Sequence, residues 1–177
     1  MHDFEALLSR IRNGLDRGSL TEQAGADCLG EFIARHFRCS SVTVWSWTEA
    51  PGPRVLSRLG GFDATVAQPL NEPLELTALD DSEWYAALSA HGIYACTDTR
   101  ADPRLDGLRA TCIAPRRIGA LLQAGFGVNG RLEGFISCTQ HDTTRTWSTS
   151  ELSQLKRIAA AISIRRARRL AAQIAAG

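Results

Sequence analysis

The side chains of this 177-residue chain with most chemistry to offer are five cysteines, four histidines and twenty basic residues. The thiols are Cys28, Cys39, Cys96, Cys112 and Cys138. Their number is odd and no pair has CxxC spacing, so they read neither as a disulfide framework nor as a zinc knuckle. His2, His36, His91 and His141 lack the HExxH or HxxxH spacing that sets two imidazoles on one helix face, so no metal motif is present. Arg109, Arg116 and Arg117 could lower the pKa of a thiol brought near them and so favour a nucleophilic thiolate. The plainer reading is of ordinary buried free thiols. Arg54, Arg58, Arg116 and Arg117 could meet a phosphate, which guanidinium geometry suits, or could simply be solvated. The aromatic residues are Trp45 and Trp47, on one strand face by their i, i+2 spacing, then Trp84, Tyr85 and Tyr94. They could wall a small-molecule pocket or fill a core.

The chain is long enough for one domain with a proper core. Hydrophobic content of 44% and charged content of 22% fit a water-soluble globular protein. No apolar run approaches the ~18 residues of a membrane span, and the N-terminus MHDFEALLSR lacks the apolar core of a signal peptide. The expectation is a cytoplasmic protein with reduced thiols and no membrane partner. Charge is uneven: residues 152–177 carry six basic groups and no acid, leaving −5 on the other 151 for a net of +1. A basic helix can hold nucleic acid, but no helix-turn-helix pattern accompanies it and its arginines occupy several sides. A solvated or dimerising helix is expected, with no nucleic acid.

The elements that must position these groups follow from spacing. Apolar residues at helical intervals predict helices over 3–16 and Thr21–Phe37, the second capped by Thr21. Ser41–Thr48, SVTVWSWT, alternates β-branched and aromatic with small polar residues and reads as a strand. Pro51-Gly52-Pro53 breaks it, and Arg54–Leu59 pairs back until Gly60-Gly61 ends the hairpin. Residues 62–80 are irregular, a length more typical of a functional loop than of a spacer. Asp80–Leu88 reads as a short helix and Ile93–Thr97 as a strand; Asp98–Gly107 is turn-rich, and Leu108–Ile118 cannot be one helix because of Pro115. Asn129-Gly130 between two apolar runs is a strong hairpin signal, predicting antiparallel strands over Ala120–Gly127 and Leu132–Thr139. Both are apolar on both faces, hence central and covered twice. Ser148-x-x-Glu151 is a capping box opening a helix to Ala175, about 40 Å long at 1.5 Å per residue, whose apolar stripe from Leu152 to Ile174 predicts a homodimer.

In this order three stretches resemble a GAF domain. They are Tyr94–Leu105, YACTDTRADPRL; the strand pair IGALLQAGFGVNGRLEGFISC; and Trp147 followed by Glu151-Leu152 and a terminal helix. The resemblance spans almost the whole of 1–177 as a single domain: helices over 1–37, sheet and pocket segment over 41–139, C-terminal helix over 148–175. It implies an α/β (α+β), profilin-like fold. A central antiparallel sheet of five to six strands would have terminal helices on one face and middle helices and loops on the other. It implies a small molecule held between the sheet and the 62–117 segment, in a sensory or regulatory module of bacterial signal transduction, with its output in trans or in a larger parent protein. Trp84, Tyr85, Tyr94, Cys112 and Phe126 are the ligand-binding residues it implies, with no catalytic residue, so an enzyme is not expected. Two alternatives stand beside it: a thiol-dependent reductase of the free-methionine-(R)-sulfoxide type, using Cys96 or Cys112, and a ligand-free dimerisation module. The sequence departs from the family in having Gly125-Phe126 where a proline often ends the first hairpin strand. Phytochrome-like members place His after the attachment Cys, but Cys112 is followed by Ile113, so no bilin is implied; the Asn-Lys-Phe motif of cyclic-nucleotide binders is missing too. The cofactor, if any, is left unknown.

Overall fold

Backbone hydrogen bonding and apolar spacing divide the chain much as its sequence predicts. The computed structural model describes residues 2–48, 54–76 and 82–176. Helices α1 (His2–Asp16) and α2 (Glu22–Phe37) form a hairpin. Thr21 opens the second, its hydroxyl accepting from Ala24 N–H at 3.1 Å. Strands β1 (Ser41–Trp47) and β2 (Leu56–Asp63) follow, then two-residue strands β3 (Gln68–Pro69) and β4 (Glu75–Leu76). The Pro51-Gly52-Pro53 break and the first residues of the expected Asp80–Leu88 helix lie outside the described residues. Helix α3 runs Glu83–His91, capped by Ser82, and Gly92 ends it in the left-handed region. Strand β5 (Ile93–Cys96) leads into a 3₁₀ turn, Pro103–Leu105, a single turn α4 (Asp106–Leu108) and a π turn, Arg109–Ile113. The helical stretch stops two residues short of Pro115, which has no amide to continue it. Strands β6 (Ile118–Val128) and β7 (Arg131–His141) and helix α5 (Thr149–Ala176) complete the chain.

The strands form one antiparallel sheet in the order β3-β2-β1-β7-β6-β5, with β4 also on β2. Asn129 and Gly130 both have positive φ, 53° and 76°, as the two-residue turn between β6 and β7 demands. Helices α1, α2 and α5 cover one face, over a core that includes Ile33, Val42, Leu122, Ile136 and Leu155. Helix α3 and the 103–113 turns cover the other, around Trp84, Leu88, Leu105 and Phe135. The central strands are thus covered on both sides as expected, with terminal helices and middle segment on opposite faces.

Strand β2 runs past its expected end, and the 62–80 stretch expected to be irregular holds β3 and β4. Gly60 and Gly61 lie inside β2 instead of ending it. A Cβ on Gly60 would sit 2.7 Å from Asp27 Oδ1 and 2.9 Å from Ala26 Cβ of helix α2. Gly61 N–H donates to Asp27 Oδ1 at 2.8 Å. The pair lets a helix approach a strand backbone, which is what glycine inside a strand often signals.

Helix α5 is closed at its start by the capping box. Glu151 N–H donates to Ser148 Oγ at 3.2 Å, and Ser148 N–H donates to Glu151 Oε2 at 2.7 Å. Its arginines answer the charge asymmetry of the sequence within the chain: Arg165 meets Asp16 at 3.7 Å, Arg166 meets Glu133 at 3.3 Å and Arg169 meets Glu22 at 2.7 Å. Beyond Arg169 the helix is exposed on every side. Among the described residues no helix is long and apolar enough to cross a membrane, and no cluster of three His, Cys, Asp or Glu could hold a metal ion.

Candidate functional site

A cavity of about 350 Å³ lies between the sheet and its α3-side cover. That is within the range of small-molecule pockets, about 300–1,000 Å³. Its floor comes from strand alternation. On β1 the residues facing it are Ser41, Thr43 and Trp45; on β7 they are Phe135, Ser137, Thr139 and His141; on β6 they are Leu121 and Gln123. The register sets them in rows across three strands. Thr43 is opposite Ser137, which is opposite Gln123; Ser41 is opposite Thr139, which is opposite Leu121. Four small hydroxyl residues and one amide therefore occupy the middle of a buried sheet, where apolar residues are the rule.

Four of these five groups are hydrogen-bonded in two networks. Ser41 Oγ lies 2.7 Å from Thr139 Oγ1 and 3.3 Å from His141 Nε2. Gln123 Nε2 donates to Ser137 Oγ at 3.2 Å, and its Oε1 accepts from Trp84 Nε1 at 2.6 Å. The indole of α3, in the cover, is thus tied to the floor. Apolar walls come from Trp45, Trp84 and Phe135. Trp45 stacks on Phe135 with centroids 6.0 Å apart, and Trp84 meets the same ring edge-on at 5.4 Å. Leu74, Leu76, Leu108, Cys112 and Ile113 close the cover.

The five residues expected to bind a ligand separate in three dimensions. Trp84 and Cys112 line the cavity. Tyr85 packs edge-on against Trp47 at 5.4 Å, and its hydroxyl accepts from Arg54 Nη1 at 3.0 Å, outside the cavity wall. Tyr94 is buried in the same core but donates its hydroxyl to Asp102 Oδ2 at 2.5 Å, pinning the turn after β5. Burial and that carboxylate push the phenol well above its ordinary pKa. Phe126 is on the opposite face of the sheet, in the core under the terminal helices, with the Arg166 guanidinium over its ring at 4.9 Å. Pleating decides this: Leu121 and Gln123 face the cavity, so Leu122, Ala124 and Phe126 face the helices. The polar floor was missed, although its signal was present in the small polar residues alternating along 41–47 and 135–141.

The thiols are not activated by the arginines near them in sequence. Arg109 ties together the preceding turn, donating to Thr99 O at 2.6 Å and Asp102 O at 3.2 Å. Arg117 pairs with Asp142 at 2.6 Å on the outside. Arg116 donates to Thr111 O at 3.2 Å and Cys112 O at 3.0 Å. Burial pushes the Cys112 thiol up by more than Arg116 lowers it. Burial, aided by Asp102, pushes Cys96 up to about 11. Cys39 and Cys138, on the helix side, are a buried pair in which the hydrogen bond between them lowers Cys39, while burial raises Cys138.

No protein-family model matches the sequence, and no curated protein sequence does. Solved structures match over most of the chain. A phycocyanobilin-bound GAF domain from a cyanobacterial phytochrome superposes with a TM-score of 0.69 at 15% identity, covering 93% of each chain. The blue-light absorbing form of the Thermosynechococcus elongatus PixJ GAF domain gives 0.68 at 19% identity, covering 85% of this chain and 89% of its own. The far-red absorbing dark state of JSC1_58120g3 with bound biliverdin IXa gives 0.64 at 14% identity, covering 92% of this chain and 99% of its own. With the sheet order and the helical cover on both faces, this likeness establishes that the chain has the fold of a GAF domain.

Proposed function

We propose that the chain is a sensory module of bacterial signal transduction that binds a small molecule in the cavity between its sheet and α3-side cover. The observation that carries this is the buried polar floor. Hydroxyl and amide groups are costly to bury, and a sheet meant only for packing would replace them with apolar residues. Here they face a cavity of ligand size instead of a packed interior. Trp84 offers a route from ligand to fold, since its indole bridges α3 and β6. Occupancy would bias the position of α3 and the 103–113 turns, and β6 and β7 would pass that bias to α5 and from there to an output, attached or separate.

The neighbours named above include domains bound to phycocyanobilin and to biliverdin. The residues of this chain do not fit an attached bilin: the wall's thiol, Cys112, is followed by Ile113 and held protonated by burial, and the cavity is at the small end of the pocket range. The same protonated thiol, with Cys96 at about 11, favours a binding module over a thiol reductase. Free thiols throughout favour the cytoplasm.

Native mass spectrometry of gently purified protein tests the reading. A copurified small molecule, lost on denaturation, is the expected result. An empty protein whose tryptophan emission is unmoved across a metabolite screen would leave the ligand-free dimerisation module in its place.

A homodimer through α5 is the second part of the proposal. Ile164, Leu170 and Ile174 are exposed on it at 54%, 40% and 72%, toward and beyond the end of the region paired to the rest of the domain. Three large aliphatic side chains left in water on one helix favour a partner helix. Light scattering at tens of micromolar should give twice the 19.2 kDa chain mass, and Ile164→Glu with Ile174→Glu should halve it. A monomeric parent protein would exclude the dimer.

A further inference from the structure

Four arginines of the sequence had equal claim to an anionic ligand, and the fold sorts them. Arg54 reaches across the outer aromatic cluster, donating to Tyr85 Oη and Leu132 O at 3.0 Å each and lying over the Trp47 ring. Arg117 is on the outside with Asp142. Arg58 and Arg116 alone of the four line the cavity, one from β2 and one from the loop before β6.

Both are held by neutral acceptors. Arg58 donates to the Glu72 carbonyl, and Arg116 to the carbonyls of Thr111 and Cys112. Neither forms an ion pair among the described residues. Arg58 Nε is buried and has no hydrogen-bond partner among them. Burial, then the charge of Arg116, lowers the Arg58 pKa, and the opposing influence of Glu72 is smaller. The other acid in the wall, Asp63, has one oxygen taken by Thr65, whose N–H and hydroxyl donate to it at 2.8 Å and 2.5 Å. Two fixed guanidinium groups sharing one cavity, with a buried N–H left over, cost the empty fold free energy that an incoming anion recovers. Guanidinium groups also present the fork that oxyanions fit.

We propose that the cavity takes a small organic oxyanion. Its charged end would be held by Arg58 and Arg116, its compact ring or chain would lie against Trp45, Trp84 and Phe135, and a polar substituent would meet the Ser/Thr/Gln floor. This rests on the ligand-binding reading above and adds the chemical class of the ligand. Carboxylate and phosphate share the required chemistry.

The test uses three probes built on one benzene ring: benzoate, its neutral isostere benzamide, and phenyl phosphate. They are titrated calorimetrically into the full chain and into R58Q and R116Q. The expected result is that an anionic probe binds about tenfold or more tighter than benzamide, as charge-assisted hydrogen bonds require. The tighter of benzoate and phenyl phosphate assigns carboxylate or phosphate. R58Q and R116Q should each remove that preference, so that acid and amide bind alike, and an unchanged far-ultraviolet circular dichroism spectrum shows that the variants are folded. Equal affinity of acid and amide for the wild type overturns the anion assignment and leaves the cavity as a site for neutral ligands. A preference surviving in both variants overturns the assignment to these arginines. If no probe binds although the protein carries a copurified small molecule, the oxyanion assignment falls alone; if the protein is also empty, the ligand-binding reading falls with it.

Discussion

Trp84 and Gln123 are joined by a 2.6 Å hydrogen bond from the indole N–H to the amide oxygen, and both are buried. The bond spans 39 residues of chain and links a helix in the cavity cover to the second-to-edge strand of the floor. Gln123→Ala would leave the indole N–H unsatisfied and Ser137 without its donor. The expected loss is about 1–3 kcal/mol, the usual cost of stranding a buried polar group. Urea unfolding measures it, and the Trp84 indole N–H resonance should shift and exchange faster with solvent. An unchanged resonance would mean the bond is not formed in solution.

Phe126 supplies a contrasting test, because it belongs to the other face. Phe126→Ala removes a buried ring from under α5 and should cost about 3–5 kcal/mol. The Trp84 indole resonance and probe binding in the cavity should stay as they are. Loss of binding in a variant shown to be folded would return Phe126 to the ligand site.

The thiols predict a pH dependence. Cys96 binds its proton more tightly in the folded chain than in the unfolded one, so its contribution to stability is full below about 9 and is lost as pH rises through about 11. Alkylation should follow the same order: Cys28, exposed, reacts first near pH 8, while Cys112 and Cys96 lag and speed up only at higher pH. Peptide mapping after iodoacetamide treatment reads this out. Fast labelling of Cys112 at neutral pH would favour the reductase alternative.

At the start of α5, burial raises the Glu151 carboxyl, but the backbone and hydroxyl of Ser148 and the Arg145 guanidinium, 2.6 Å away, outweigh it and leave the group below its usual pKa. The stabilisation is present at neutral pH and is lost as pH falls below about 4.5 through the lowered folded value. Ser148→Ala should cost about 0.5–2 kcal/mol at pH 7, as losing a helix cap does, and less in acid. Thermal unfolding of both forms at pH 7 and pH 3.5 checks the sign. An equal cost at both would show that the cap does not act through the Glu151 charge.

Much of this protein could be read locally. Thr21, the Ser148–Glu151 box and the Asn129-Gly130 turn act through neighbours a few residues away, so sequence alone determined two helix starts and the central hairpin. Covered strands were readable as well, because apolar residues occurred at both parities. That same property concealed which parity faces the ligand: nothing in IGALLQAGF says whether Gln123 or Phe126 turns toward the cavity. Tertiary structure decided it by setting Ser137 opposite Gln123 and laying α5 over Phe126. It likewise divided four similar arginines between an outer cluster, an exposed ion pair and the cavity. Only the β-sheet register and the return of residues 54–58 and 109–117 to its faces bring those charges to their places, and burial there is what gives each a different energy.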